Sequence, residues 1–219
     1  MLYIVSTPIG NLKDITLRAL EVLKSVDLIA AEDSRRTRIL LDAYEIRKPL
    51  TSFFEHNEDR KTGQLIGMLK EGKSIALVSD AGTPGISDPG WPLIQRALGE
   101  GIKIEVIPGV TALITALTAS GLPTHAFVFE GFFPVKSGAR RKKLEEVKAQ
   151  GRTAVFYESP HRLQKTLQDI TEVLNNPAIV VARELTKKFE EVQRGPAAQL
   201  REHFTRHAPR GEFVILIGG

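Results

Sequence analysis

Short apolar runs of four to six residues alternate with helix-length segments through the first half of this 219-residue chain, and no other feature restricts the fold as much. Residues 2–5, 27–31, 49–53, 74–79 and 103–107 are strand-like. Between them, 16–24, 59–70 and 89–98 carry apolar side chains at helical spacing, and the polar stretch 32–38 leads into a further helix. Strands separated by helices have no hairpin partner, so they must pair through right-handed βαβ crossovers into a mostly parallel sheet.

The rhythm changes near Pro108. Residues 111–119 make a helix of small side chains (Ala112, Ala116, Ala119) suited to close packing. After Gly121-Leu122-Pro123 a second set begins, with strands at 126–130, 153–157, 179–182 and 212–217 and helices at 138–149, 161–174 and 197–203. Residues 190–194 read as an added, antiparallel strand. The expected fold is α/β, with two small α/β domains: 1–120 with a mostly parallel sheet, and 121–219 with a mixed sheet. A cleft between two such domains is a natural ligand site.

Composition narrows the function classes. No apolar run approaches the roughly 20 residues needed to cross a bilayer, and the start, Met1-Leu2-Tyr3-Ile4-Val5, lacks the basic region of a signal peptide. A cytoplasmic protein with no membrane partner is expected. With no cysteine there is neither a disulfide nor a thiolate metal site, and five scattered histidines (His56, His125, His161, His203, His207) offer no zinc spacing, so no metal is expected. Residues 1–130 hold 14 Lys and Arg against 16 Asp and Glu, whereas 131–219 hold 16 against 10. That asymmetry suits a polyanionic partner and equally a solvated surface.

No P-loop, nucleophile elbow or dinucleotide fingerprint occurs. Three other loops each follow a strand, at the carboxyl edge where open α/β sheets bind ligands. In Ser6-Thr7-Pro8-Ile9-Gly10-Asn11, Pro8 and Gly10 make a compact turn that a ligand can approach. Residues 79–90 form a stiff, hydroxyl-rich loop, longer than an ordinary βα connection of about 2–6 residues. Its Asp80 is a ligand acceptor and its Gly82-Thr83-Pro84-Gly85 turn offers carbonyls, while Asp88, followed by Pro89, reads as a helix N-cap. In Pro108-Gly109-Val110-Thr111-Ala112 the first helical amides suit a carboxylate, or the glycine serves close packing.

Together and in this order these loops resemble the tetrapyrrole methylase superfamily, over nearly the whole chain. The segments Ala31-Glu32-Asp33-Ser34-Arg35 and Phe156-Tyr157-Glu158-Ser159-Pro160-His161-Arg162 resemble, within it, the branch of ribosomal RNA small-subunit methyltransferase I. The resemblance implies a homodimer of two-domain chains that binds S-adenosylmethionine and methylates a cytidine 2′-hydroxyl in the decoding region of 16S-type RNA of the 30S subunit. It carries cofactor contacts to Ile9, Asp80, Thr83, Thr111, Ala112 and Tyr157, to which the loop reading adds Pro8, Gly10, Gly82 and Pro84. Members commonly continue past the final strand, whereas this sequence ends at Gly218-Gly219.

A ribose hydroxyl is a poor nucleophile until its proton is taken, which calls for a general base. The candidates are Glu32, Asp33, Glu158, His161 and Glu184, each acid having an arginine nearby (Arg35, Arg162, Arg183) with which it could simply pair. Glu32 and Asp33, followed by Arg35, Arg36 and Arg38, read as an RNA-handling loop rather than a salt-bridged helix start. His56-Asn57, after Phe53-Phe54, is another polar strand exit, with a helix cap as the competing role for Asn57. The basic run 136–143, including Arg140 and Arg141, is an RNA candidate or a solvated helix face, and Arg162 joins the RNA set. Two rivals remain: a tetrapyrrole C-methyltransferase, which needs no arginine-rich loop, and a non-catalytic RNA-binding assembly protein, which needs no small-molecule loop like 79–90.

Overall fold

A computed structural model describes residues 1–219. The chain forms two compact units, Met1–Thr111 and Ala112–Gly219. In the first, β1 (Leu2–Val5), β2 (Leu28–Ala31), β3 (Leu50–Ser52), β4 (Ile75–Val78) and β5 (Ile104–Ile107) form one sheet in the order β3-β2-β4-β1-β5. Every pairing in it is parallel. The connecting helices are α1 (Leu17–Ser25), α2 (Ser34–Ala43), α3 (Glu58–Lys70) and α4 (Trp91–Gly99).

Alternation along a strand decides which helix each side chain meets. Ala76 and Val78 of β4 join Ala19, Val22 and Leu23 of α1 and Leu41 of α2. Ile75 and Leu77 face the other way, onto Leu65, Ile66 and Leu69 of α3 and Leu93 and Ala97 of α4. Both faces are covered, which is why β4 is apolar throughout. The loops that concern the site all leave this sheet from its carboxyl edge.

The second unit opens with α5 (Ala112–Ser120), which packs on the sheet of its own unit. It continues with β6 (Phe127–Phe132), α6 (Ser137–Gln150), β7 (Thr153–Glu158), α7 (Leu163–Val173), β8 (Ala178–Arg183), β9 (Glu191–Pro196), α8 (Ala197–Arg206) and β10 (Phe213–Ile217). The sheet order is β6-β7-β10-β8-β9, with β6 parallel to β7 and the other pairs antiparallel. Its core joins Leu144 and Val147 of α6, Leu163, Leu167 and Ile170 of α7 and Phe204 of α8 to Phe156, Val181 and Ile215 of the sheet. Thus the expected α/β class holds in both units.

One local expectation fails. Asp88 does not cap α4: the helix begins at Trp91 with Gly90 at the cap and Pro92 in its first turn. Gly90 sits at φ +148°, and a Cβ there would come within 3.0 Å of Leu77, so only glycine lets the loop press onto β4 and start the helix there.

Candidate active site

The exits of β1 and β4 are bound directly to each other. The Thr7 amide donates to the Gly82 carbonyl at 2.8 Å and the Gly82 amide to the Thr7 carbonyl at 3.0 Å. The Ser6 and Thr83 hydroxyls lie 2.8 Å apart, and the Thr7 hydroxyl donates to the Ser79 carbonyl at 3.1 Å. Gly82 has φ +81°, a conformation that a β-branched residue adopts only under strain. Gly109 has a packing task instead, since a Cβ there would lie 2.7 Å from Ser6 Cβ. Pro8 and Ile9 are buried beside this bridge and Gly10 is exposed.

Beside it, β2 and β4 share an acidic cluster. Glu32 accepts from the Asp80 amide at 3.2 Å through Oε2. Asp80 accepts in turn from the Asp33 amide at 3.0 Å, and its other oxygen lies 3.3 Å from Arg36. The carboxylate expected to take a ligand therefore also ties the two strand exits together. Burial pushes the Glu32 carboxyl above its ordinary value; the Asp80 amide and Arg36 oppose this less strongly, and the Asp80 carboxylate reinforces it.

Asp33 departs from its expected role. It is the N-cap of α2, accepting from the Arg35 amide at 2.9 Å, and pairs with the Arg35 guanidinium at 2.8 Å. Those Arg35 bonds hold its carboxyl down at about 2. Both are the salt-bridged helix start that the arginine-rich sequence argued against. An aspartate just before a helix satisfies otherwise unbonded amides, and that local signal was there to read.

The acids of the second unit are occupied. Glu158 is buried; it accepts from the Thr166 hydroxyl at 2.5 Å and the Ser159 amide at 2.7 Å, and pairs with Arg162 at 2.9 Å. Arg162 also donates to the Phe133 carbonyl, so its assignment to RNA gives way to a structural one. Glu184 pairs with Lys187 and accepts from the Glu212 amide; burial opposes its ionisation, but these two contacts prevail and lower its pKa. His161 is exposed.

Arg140 is a clear correction. Only 3% exposed, it pairs with the buried Asp169 at 2.5 Å and donates to the Pro134 and Val135 carbonyls, leaving nothing for a phosphate. Arg141 divides itself between Asp169 and Glu172. Asp169 escaped the sequence reading, although its spacing from Leu163, Thr166 and Ile170 places it on the buried face of α7. Arg35, Arg36, Arg38 and His56 are exposed. Asn57 stands at the cap of α3, but its side chain turns back to bind the Phe54 amide and the Ser52 carbonyl.

Pro8, Ile9, Gly10, Asp80, Gly82, Thr83, Pro84 and Thr111 thus belong to the first unit, while Ala112 opens α5 and Tyr157 lies on β7, packed edge-on against Phe129 and Phe132. No three His, Asp or Glu side chains are grouped to hold a metal. No helix is long and apolar enough to cross a membrane.

Residues 1–201 match the profile of the Tetrapyrrole (Corrin/Porphyrin) Methylases, and the chain belongs to that family. Two solved structures share the fold: a diphthine synthase (TM-score 0.80, 14% identity, 100% of this chain and 89% of that one) and a cobalt precorrin-4 methyltransferase (TM-score 0.75, 22% identity, 99% and 94%). Its sequence is closer to proteins named Ribosomal RNA small subunit methyltransferase I. That of Thermotoga maritima is 47% identical, with 100% of this chain and 98% of the relative covered. That of Vibrio cholerae is 51% identical, with 100% and 77% covered.

Proposed function

We propose that this chain is an S-adenosylmethionine-dependent methyltransferase of small-subunit ribosomal RNA that acts on a cytidine 2′-hydroxyl of the decoding region. It works in the cytoplasm as a homodimer, the assembly that the family resemblance implies. About half-identity to the rRNA methyltransferases over the whole chain favours RNA over a tetrapyrrole acceptor.

The loops at the β1, β4 and β5 exits suit the cofactor. Residues 6–11, 79–90 and 108–112 contain no Lys or Arg, and they present hydroxyls and carbonyls, the groups that a sulfonium cation tolerates best. Ile9, Asp80, Gly82, Thr83 and Thr111 would hold it. When bound, S-adenosylmethionine supplies an electrophilic methyl group, and most of the rate then comes from orientation and exclusion of water.

Glu32 carries the chemical reading. One of its oxygens is held by the Asp80 amide and the other has no protein partner, beside the clasped loops. Burial makes it a stronger base than an ordinary carboxylate. It takes the proton from the ribose hydroxyl as that oxygen is methylated. Glu158 and Glu184, already bonded, shape the second unit instead.

The test is transfer of labelled methyl to purified 30S subunits, free RNA and a tetrapyrrole acceptor in parallel. Label should enter 30S RNA as 2′-O-methylcytidine; label in the tetrapyrrole alone would end this reading. Calorimetry on Gly82→Val should show cofactor binding lost without unfolding, because β-branched side chains resist positive φ. Unchanged affinity would remove this loop from the cofactor site.

A further inference from the structure

The exit of β3 lies one strand from Glu32 and carries an aromatic side chain that the core does not use. Phe53 is the core anchor at 1% exposure, whereas the next residue, Phe54, is 38% exposed and belongs to no core cluster. Its position is nevertheless fixed. Asn57 accepts from the Phe54 amide at 2.9 Å and donates to the Ser52 carbonyl at 3.3 Å, while the Asn57 amide donates to the Phe54 carbonyl at 2.8 Å. The His56 ring stands edge-on to Phe54, with centroids 6.4 Å apart and planes at 87°. Asn57 thus fixes the backbone that carries this partly exposed ring, with His56 beside it, at a strand exit where a polar residue would serve folding as well.

We infer that Phe54, set by Asn57 and flanked by His56, is a stacking platform for the base of the target nucleotide or of its immediate neighbour in single-stranded RNA. This rests on the RNA methyltransferase reading above. Ala31 pairs with Ser52, and the Phe53 amide donates to the Ala31 carbonyl at 2.8 Å, so the two strands leave the sheet side by side. Neighbouring strands lie ~4.8 Å apart. The two exits are therefore close enough for one short stretch of RNA to reach both, with Glu32 opposite Phe53 in this register and Phe54 one residue further out. Arg35 and Arg36, exposed at the start of α2, supply positive charge for the flanking phosphates. Stacking on aromatic side chains is how unpaired bases are held, because every base has a π-face.

The test compares Phe54→Ala and Phe54→Trp with the parent. Phe54→Ala should raise KM for 30S subunits about tenfold, within the range for loss of one stacked base. Affinity of the cofactor-free protein for 30S subunits, by filter binding, should fall in step, while calorimetric affinity for S-adenosylmethionine stays at the parental value. Phe54→Trp should restore both RNA parameters. In a Trp91→Phe background, which removes the only native indole, its fluorescence should be quenched on titration with single-stranded RNA. A parental KM for Phe54→Ala overturns the platform. So does a Phe54→Ala chain that changes its sedimentation but not its RNA affinity, which would make this ring a contact between protein chains. If the parent itself transfers no methyl to 30S subunits or RNA, the failure lies with the proposed function, and the platform falls with it.

Discussion

An arginine and an aspartate meet in both units, with opposite consequences. At the edge of the first sheet, Arg36 and Asp80 lie 3.3 Å apart, with 64% and 21% of their side chains exposed. Inside the second unit, Arg140 and Asp169 are 2.5 Å apart and almost wholly buried, and Ser137 and Arg141 also bind the aspartate. The exposed pair is screened by water and contributes little to stability, so its charges are available to a ligand. The buried pair is committed: each ion is desolvated, and each depends on the other. Positive charge near a proposed RNA substrate therefore has to be counted by what stays exposed, which removes Arg140 and keeps Arg35 and Arg36, whose own pairs lie at the surface.

The largest effect that sharpens this contrast is on Glu32, whose neighbour is the exposed pair. Glu32→Gln should lower kcat by about 10²–10⁴-fold, the usual share of a general base. In the parent, kcat should rise with pH through a carboxyl titrating above the ordinary glutamate range, and this limb should vanish in the variant. Folding raises this carboxyl, so its stabilising contribution is complete below the unfolded value of 4.5 and is lost as pH rises through the higher folded value. Glu32→Gln should therefore melt no lower than the parent at pH 7. An inactive variant that also unfolds early would make Glu32 a structural residue.

Next in size is the buried pair. Asp169→Ala leaves Arg140 charged, buried and unpaired, which should cost about 3–5 kcal/mol in denaturant unfolding. Arg36→Ala should cost less than about 1 kcal/mol by the same measurement. Equal losses would erase the distinction between the two pairs.

The smallest effect is read in salt. An Arg35→Ala, Arg36→Ala double variant should flatten the log–log salt dependence of RNA binding by about 0.7–0.9 for each phosphate that is no longer neutralised, with cofactor affinity unchanged. Arg141→Ala, whose guanidinium is shared by Asp169 and Glu172, should leave the slope near the parental value. A stronger response at Arg141 than at Arg35 and Arg36 would return the RNA face to α6.

Local patterns could be read from the sequence. The apolar runs and helical spacing located the strands of both sheets to within a residue or two, because burial on a strand or helix repeats over a few neighbouring positions. The added strand β9 was visible for the same reason, and so were the loops after β1, β4 and β5, where glycine and proline punctuate the chain. Partnerships across the chain were not. Arg140 read as a surface cation because Asp169 lies 29 residues away. Glu32 was one acid among several until the Asp80 amide, 48 residues on, bound one of its oxygens and left the other free. Phe54 drew no attention as one of ten phenylalanines. The pairing of β3 with β2 is what brings the segment that carries it out of the sheet next to the exit that carries Glu32. Short-range pattern along the chain was enough for the elements and the family, whereas folding in three dimensions settled which ion pairs are buried and which stay at the surface, since burial is set by segments remote in sequence.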